Sequence, residues 1–192
     1  MSLSVRLIMY YLDEIKAYTP CCEQEAADKA AMLAFAEGNP GCLLRSCLAG
    51  HFTASAWIVN PARDRVLFCW HNLYRSWSWV GGHADGECDL AAVALRETRE
   101  ETGITDGRLA REGLLSLEIL TVDGHEKRGV YVPSHLHYNL TYLIEAGEEG
   151  PIRPKADENS GVRWFSFPQA LQASTEPWMR ERIYQKLMAK EY

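Results

Sequence analysis

The chain has 192 residues, of which 47% are hydrophobic and 24% are charged, and its formal net charge is −6. This is the composition of an ordinary globular protein, and no apolar stretch approaches membrane-spanning length. Because there is no basic run or stripe, binding to nucleic acid or to a membrane is not expected. A small phosphorylated ligand remains compatible with the acidic charge, since bound divalent cations supply positive charge.

The cysteines indicate a reducing environment. There are six, at positions 21, 22, 42, 47, 69 and 88. They form neither a Cys-x-x-Cys motif nor a zinc-ligand spacing, and the adjacent Cys21 and Cys22 are poorly placed for a disulfide. Free thiols are therefore predicted, and with no apolar targeting segment after a basic start the protein is expected to be cytoplasmic.

The first part of the chain has helical periodicity. Apolar residues at helical spacing predict an amphipathic helix over residues 3–18, which ends at Thr19-Pro20. A second helix is predicted over Glu23 to Glu37, before the turn signal at residues 38–41. Residues 1–48 are therefore interpreted as a helical N-terminal extension, and residues 49–192 as the main domain.

Strand signals begin after this extension. Phe52 to Asn60 and Arg65 to His71 are β-branched and aromatic runs that predict a hairpin-like pair. Ser76 to Val80 predicts a short strand that ends at Gly81-Gly82. A helix follows, with Asp89 as its N-cap and Gly103 just after its last turn.

The rest of the chain adds strands and closing helices. Strands are predicted over Gly113 to Val122, His135 to Glu145 and Val162 to Phe167, followed by a short helix from Pro168 and a C-terminal helix over Met179 to Lys190. This order indicates an α/β or α+β fold in which a mixed sheet packs with a few helices.

Three glutamates in the central helix are the most informative feature. Residues at i, i+3 and i+4 share a helix face, so Glu97, Glu100 and Glu101 converge. Such close like charges favour a cation between them, and carboxylate oxygens suit Mg²⁺ or Mn²⁺. An ordinary solvated helix face is the alternative.

The surrounding residues resemble the Nudix box of Nudix hydrolases over residues 82–104. Gly82, Arg96, the three glutamates, Gly103 and Ile104 all fall on the family pattern at its spacing. Two positions depart from it. Cys88 stands where the pattern has its first glutamate, with Glu87 one residue early, and Thr98 replaces an aliphatic residue. In the family that first glutamate mostly braces the loop and the box arginine.

The resemblance implies a Nudix fold, with a mixed β-sheet sandwiched between helices, and metal-dependent hydrolysis of a phosphoanhydride bond. The implied substrate class is a nucleoside diphosphate linked to another moiety, or a related compound, and the implied cofactor is Mg²⁺ or Mn²⁺. The implied metal ligands are the Gly81 carbonyl, Glu97, Glu100 and Glu101. Glu97, Glu100 and Arg96 are also catalytic candidates, and Arg96 is expected to brace Glu100 four residues later. Which glutamate acts as base stays open, and a homodimer is expected for the fold.

Further site candidates lie outside the helix, each with a simpler alternative. Glu158 is a candidate base or ligand, because the family often places an extra carboxylate there, and an ordinary polar turn is the simpler alternative. Gly82, His83, Trp77 and Trp79 are candidates for substrate binding, against loop surface for the histidine and core packing for the tryptophans. His135 and His137 share a strand face, which fits either a metal pair or local hydrogen bonds.

Two alternative functions remain open. His51-Phe52-Thr53-Ala54-Ser55 faintly resembles the start of the isopentenyl-diphosphate isomerase core, a relative that needs a cysteine acid/base and a histidine-rich metal site. The nearly complete box favours hydrolysis. A non-catalytic Nudix domain that senses a nucleotide is the second alternative, and such domains typically lose box glutamates.

Overall fold

The computed structural model describes residues 10–127 and 129–191. The elements in chain order are α1 (Tyr10–Ala17), α2 (Glu23–Gly38), β1 (Gly50–Val59), β2 (Arg65–His71), β3 (Ser76–Ser78), β4 (Val80–His83), α3 (Leu90–Thr102), β5 (Arg108–Leu109), β6 (Ser116–Val122), β7 (His125–Lys127), β8 (Val130–Val132), β9 (His135–Glu145), β10 (Asn159–Ser166), α4 (Phe167–Ala173), a π-helical segment (Met179–Tyr184) and α5 (Gln185–Met188). In this part of the chain, no helix has the length and apolar character needed to cross a membrane.

An eight-stranded mixed sheet organises the fold. Its main strand order is β10-β2-β1-β9-β5, with β3 beside β2, β4 beside β1, and β6 beside β9. β1 runs parallel to β9 over its whole length, and the other pairs in this sheet are antiparallel. β7 and β8 form a separate two-stranded hairpin in the polar segment before β9.

Both faces of the sheet are covered. β1 is buried at every position, and successive side chains of a strand point to opposite faces. Phe52 and Ile58 belong to a core shared with α1, α2 and α3, whereas Trp57 and Val59 belong to a second core shared with α4 and the C-terminal helical segments. This arrangement confirms the predicted mixed sheet between helices.

One sheet face changes from apolar to polar along its strands. The residues of β1 on the Trp57 face are, toward its start, His51, Thr53 and Ser55. Their parallel partners on β9 are also polar, and His51 pairs with His137 and Thr53 with Asn139. Because polar side chains cannot extend an apolar core, this end of the face opens as a cavity.

The N-terminal helices pack into the same core as the sheet. Tyr11, Ile15 and Met32 are buried in the first core. From α2, the fully buried Glu25 forms an ion pair with Lys190 at 2.8 Å, which ties the start of the chain to its end. Of the helix predicted over residues 3–18, residues 3–9 lie outside the described part of the chain.

The element boundaries differ from the predicted ones in the middle of the chain. The strand predicted over residues 76–80 is two strands, and the second runs through Gly81 and Gly82, since these glycines pair with Ser55 and Ala54 of β1. The strand predicted from Gly113 begins at Ser116.

Two further corrections concern the closing elements. β10 ends at Ser166 because this serine caps α4 through a capping box with Gln169. The predicted C-terminal α-helix begins as a π-helical segment, a geometry that apolar periodicity does not reveal.

Candidate functional site

A cavity of about 1420 Å³ opens where α3, β1, β4 and β9 meet beside the β7–β8 hairpin. Most of the predicted site residues line it: Gly81, Gly82, His83, Trp79, Arg96, Glu97, Glu100, Glu101 and Glu158. Residues that lie far apart in the sequence therefore contribute to one surface.

Local signals in the sequence place α3 against this cavity. The Asp89 side chain caps the helix by accepting a hydrogen bond from the Ala92 amide at 3.0 Å, and Gly103 ends it with φ of 75°. Gly82 permits the close approach of helix and strand, because a Cβ at this position would lie 2.4 Å from the Glu97 carboxylate.

Three carboxylates converge in the cavity. Oxygens of Glu97, Glu101 and Glu158 lie within 4.8 Å of one another. Glu101 is only 4% exposed and accepts hydrogen bonds from the Gly81 amide at 3.2 Å and from Asn159 at 3.3 Å. Burial, reinforced by the other two carboxylates, raises the pKa of Glu101 to about 8. The pocket therefore favours a proton or a cation beside this residue.

Glu100 lies apart from that group, although it lines the same cavity. Its side chain is 44% exposed, and it accepts a hydrogen bond from Lys155 at 3.1 Å. The Lys155 ammonium also lies 3.1 Å from Glu158, so one positive charge bridges the helix and the segment before β10. Burial opposes the charge on Lys155, but these two carboxylates outweigh it and raise the pKa of Lys155.

Arg96 braces the carboxylate next to it. One of its terminal nitrogens donates to Glu97 at 3.0 Å and to the His83 carbonyl at 3.4 Å, while its Nε is 3.9 Å from Glu100. The guanidinium thus fixes Glu97 relative to the end of β4. The predicted contact of Arg96 with Glu100 is present, but it is longer than the contact of Arg96 with Glu97.

The β4–α3 loop has a brace that the sequence did not reveal. Cys88 supplies no carboxylate, but Arg45 makes a two-pronged ion pair with Asp85 at 2.7 Å for each contact. The Gly86 amide also donates to the Leu43 carbonyl at 3.0 Å. The segment before β1 therefore holds the loop that in the family pattern depends on the missing glutamate.

The two tryptophans before the box have different positions. Trp79 lines the cavity, is 8% exposed, and packs edge-on against Tyr184 with ring centroids 5.7 Å apart. Trp77 packs edge-on against Phe165 at 5.0 Å and Trp70 at 5.8 Å, and it is not among the described residues that line the cavity. Trp77 is partly buried and packs against the second core, which agrees with the core-packing alternative given for it.

Histidines form a second polar group in the cavity. Ring nitrogens of His51, His83 and His137 lie within 4.8 Å of one another. Burial lowers the pKa of His83 to about 3 and that of His137 to about 2, so both rings are neutral at neutral pH. The Nε2 atoms of His135 and His137 are 3.1 Å apart, which fits the local hydrogen bond given as one of the two alternatives for this pair. His51 was not a site candidate, because only strand register places it here.

The carboxylate group fits a hard divalent cation. Its donors are oxygens, which Mg²⁺ and Mn²⁺ prefer, and they lie beside a glycine that leaves the space a Cβ would fill. Burial disfavours the ionised form of the Glu101 carboxylate, and a nearby cation would offset the free-energy cost of ionising it.

The chain is similar to a known protein family and, in its fold, to solved structures. The model of the NUDIX domain family matches residues 50–187. An Ap4A hydrolase of C. elegans in a binary complex is 19% identical, with a TM-score of 0.51 over 71% of this chain and 91% of that one. The Nudix hydrolase RenU of M. smegmatis is 14% identical, with a TM-score of 0.51 over 74% of this chain and 88% of that one. No curated protein matches this chain in sequence.

Proposed function

The chain belongs to the Nudix hydrolase family, and we propose that it hydrolyses a phosphoanhydride bond in a nucleoside diphosphate linked to another moiety, or in a related compound, with Mg²⁺ or Mn²⁺ as cofactor. The observation that carries the proposal is the convergence of Glu97, Glu101 and Glu158 within 4.8 Å on the wall of a large cavity. The family match supports the reaction class, and the carboxylate geometry supports the site.

Four groups would hold the cation in this proposal. They are the carbonyl of Gly81 and the carboxylates of Glu97, Glu100 and Glu101. When bound, a divalent cation offsets the charge of the phosphoryl oxygens and lowers the pKa of water. Glu101 is fixed by the Gly81 amide and by Asn159, whereas Glu100 would exchange its contact with Lys155 for the cation.

The protein's own groups would then handle the proton and the charge. We assign to Glu158 the removal of a proton from the attacking water, since its side chain is 40% exposed and lines the cavity opposite α3. The water oxygen forms a bond to phosphorus, the bridging P–O bond breaks, and its electron pair leaves with the departing phosphate. Glu97, braced by Arg96, remains the alternative base or a ligand. Lys155, released from Glu100, would face the negative charge of the leaving phosphate.

The rest of the cavity has room for a nucleotide-sized substrate. Its volume of about 1420 Å³ exceeds the roughly 300–1,000 Å³ of ordinary ligand pockets. Trp79, Gly82 and His83 lie together on the cavity wall. These three residues are proposed to contact the substrate.

The histidines of the cavity match one requirement of the isomerase alternative, but the other requirement, a cysteine, favours hydrolysis. An isomerase of the kind considered above needs a cysteine acid/base, and among the described residues that line the cavity none is a cysteine. Cys69, close to α3, is buried and directs its thiol at the Glu101 carbonyl at 3.8 Å. The sensing alternative is disfavoured because the carboxylates that typical sensing domains lose are present here.

The test is a substrate panel of nucleoside diphosphate derivatives, dinucleoside polyphosphates and nucleoside triphosphates, assayed for release of phosphate or nucleotide. The proposal expects turnover of at least one compound with Mg²⁺ or Mn²⁺, loss of that turnover with a chelator, and recovery when the metal returns. Glu112→Gln, an exposed change outside the cavity, is the matched control. Ligand binding without release of product across the whole panel would support the sensing alternative, and double-bond migration in isopentenyl diphosphate would support the isomerase.

A further inference from the structure

The histidines of the cavity are gathered by strand register. His51 of β1 is paired directly with His137 of β9, and Thr53, two residues along the same face, is paired with His83 of β4. Three strands that are separate in sequence therefore each contribute one imidazole to one patch. The ring centroids of His51 and His83 are 4.9 Å apart, and those of His83 and His137 are 4.8 Å apart.

The hydrogen bonds of this patch leave one nitrogen unsatisfied. His51 is 4% exposed, and its Nδ1 lies 3.4 Å from the Cys47 carbonyl. Its Nε2 is buried and has no hydrogen-bond partner within the described chain. An unsatisfied buried polar atom costs about 1–3 kcal/mol, a cost that an apolar side chain at this position would avoid. A ligand for this nitrogen would account for its presence.

We propose that His51, His83 and His137 bind a transition-metal ion of the Zn²⁺ class, at a site separate from the carboxylates. Imidazole nitrogen suits Zn²⁺ and its neighbours in the transition series, whereas oxygen donors suit Mg²⁺. Three histidines are a known catalytic-type zinc ligand set, which leaves a fourth position for an oxygen ligand. All three residues line the cavity, so this position faces it.

The dimensions are compatible with such a site. Ligand nitrogens of a tetrahedral ion with bonds of about 2.1 Å lie about 3.4 Å apart. The three histidine nitrogens lie within 4.8 Å of one another, so side-chain rotations that move them by about 1 Å would bring them to this spacing. The contact of His51 Nδ1 with a backbone carbonyl is the kind of outer hydrogen bond that orients a histidine ligand.

Charge around the patch also permits a cation. Burial lowers the pKa of His51, His83 and His137, so the uncharged imidazoles that bind metals are favoured here. Arg45, a positive group near these rings, is neutralised by its ion pair with Asp85. Arg96 lies between this patch and the carboxylates, since it contacts both the His83 carbonyl and Glu97. The two sites are therefore adjacent but have different chemistry.

The experiment measures metal binding and does not depend on turnover. Chelator-treated full-length protein is titrated with Zn²⁺, and with Co²⁺ as a spectroscopic probe, in excess Mg²⁺; bound metal is counted by elemental analysis. The expected result is one tightly bound ion, a visible Co²⁺ spectrum, and ring ¹⁵N shifts of His51, His83 and His137. His125, which lines the cavity outside the patch, should not shift.

Variants separate this site from the carboxylates. His51→Gln and His137→Asn should each weaken Zn²⁺ binding by more than about 100-fold, since changes to outer-shell partners alone cost about 10–100-fold. His125→Asn is the matched control, and a Glu97→Gln/Glu101→Gln variant should keep the ion. The proposal is overturned if the wild type binds no Zn²⁺, if the histidine variants bind it like the wild type, or if binding is lost only with the glutamates. The ring ¹⁵N shifts are measured on the wild-type protein, so they test the proposal even if a variant fails to fold.

Discussion

Replacing Gly82 with alanine should damage the site while it leaves the fold intact. The new Cβ would lie 2.4 Å from the Glu97 carboxylate, whereas an ordinary contact needs about 3.4 Å. The carboxylate must therefore move by about 1 Å, and its bond from Arg96 at 3.0 Å must lengthen or break. A misplacement of that size costs about 100-fold in rate, so we expect kcat/KM of Gly82→Ala to fall by about that factor.

The assay is metal-dependent turnover of the best substrate, with Mg²⁺ affinity measured in parallel. The displaced group is the end of a flexible side chain, so the free energy of unfolding should change by less than about 1 kcal/mol, or a few degrees in Tm. Gly41→Ala, where a Cβ meets nothing within 4 Å, is the matched control and should behave as wild type. Full activity in Gly82→Ala would refute the argument that Glu97 must occupy this position.

Three further predictions concern buried polar groups. Glu25→Gln should lower the free energy of unfolding at neutral pH by about 3–5 kcal/mol in urea titrations, because it leaves the Lys190 ammonium without its buried carboxylate. Burial alone would raise the pKa of Glu25, but the Cys21 amide and Lys190 outweigh it and hold the pKa well below its ordinary value. The stability from Glu25 is therefore present above its unfolded-state pKa and is lost as the pH falls through its folded-state pKa. The free energy of unfolding of the variant should accordingly depend less on pH in the acid range. Asn139→Ala should lower the free energy of unfolding by about 2–4 kcal/mol, since it removes two acceptor contacts, from Thr53 and Ser55, and two donor contacts inside the sheet. A Tm within about 2 °C of wild type would contradict this. Thr98→Val, which restores an aliphatic residue to the box, should change the unfolding free energy by less than about 1 kcal/mol, because the lost hydroxyl bond goes to a helix carbonyl that keeps its amide partner.

The parts of the site that sequence could predict are those held by short-range geometry. Three features depend only on residues within one or a few helical turns. They are the cap at Asp89, the glycine end at Gly103, and the shared helix face of Glu97 and Glu101. Gly82 was singled out by its place in the family pattern, and its contact with Glu97 explains why a glycine is required there. The family resemblance then supplied the fold around these residues.

The parts that sequence could not predict depend on long-range pairing. His51 and His137 are brought together by the register of two parallel strands, and Arg45 reaches Asp85 only after the N-terminal segment folds over the loop. Hydrophobic alternation did not reveal this register, since β1 is buried on both faces. The choice between substrate binding and core packing for Trp77 likewise depends on a distant residue, because its partner Phe165 lies on β10.

We propose that the box carboxylates perform metal-dependent hydrolysis. The most direct measurement is kcat/KM of a Glu100→Gln/Glu101→Gln variant on the best substrate of the panel, with Mg²⁺ varied and Glu112→Gln as the control. We predict a loss greater than about 100-fold, since removing ligands should exceed the effect of changing outer-shell partners. Full metal-dependent turnover in the double variant would contradict the claim.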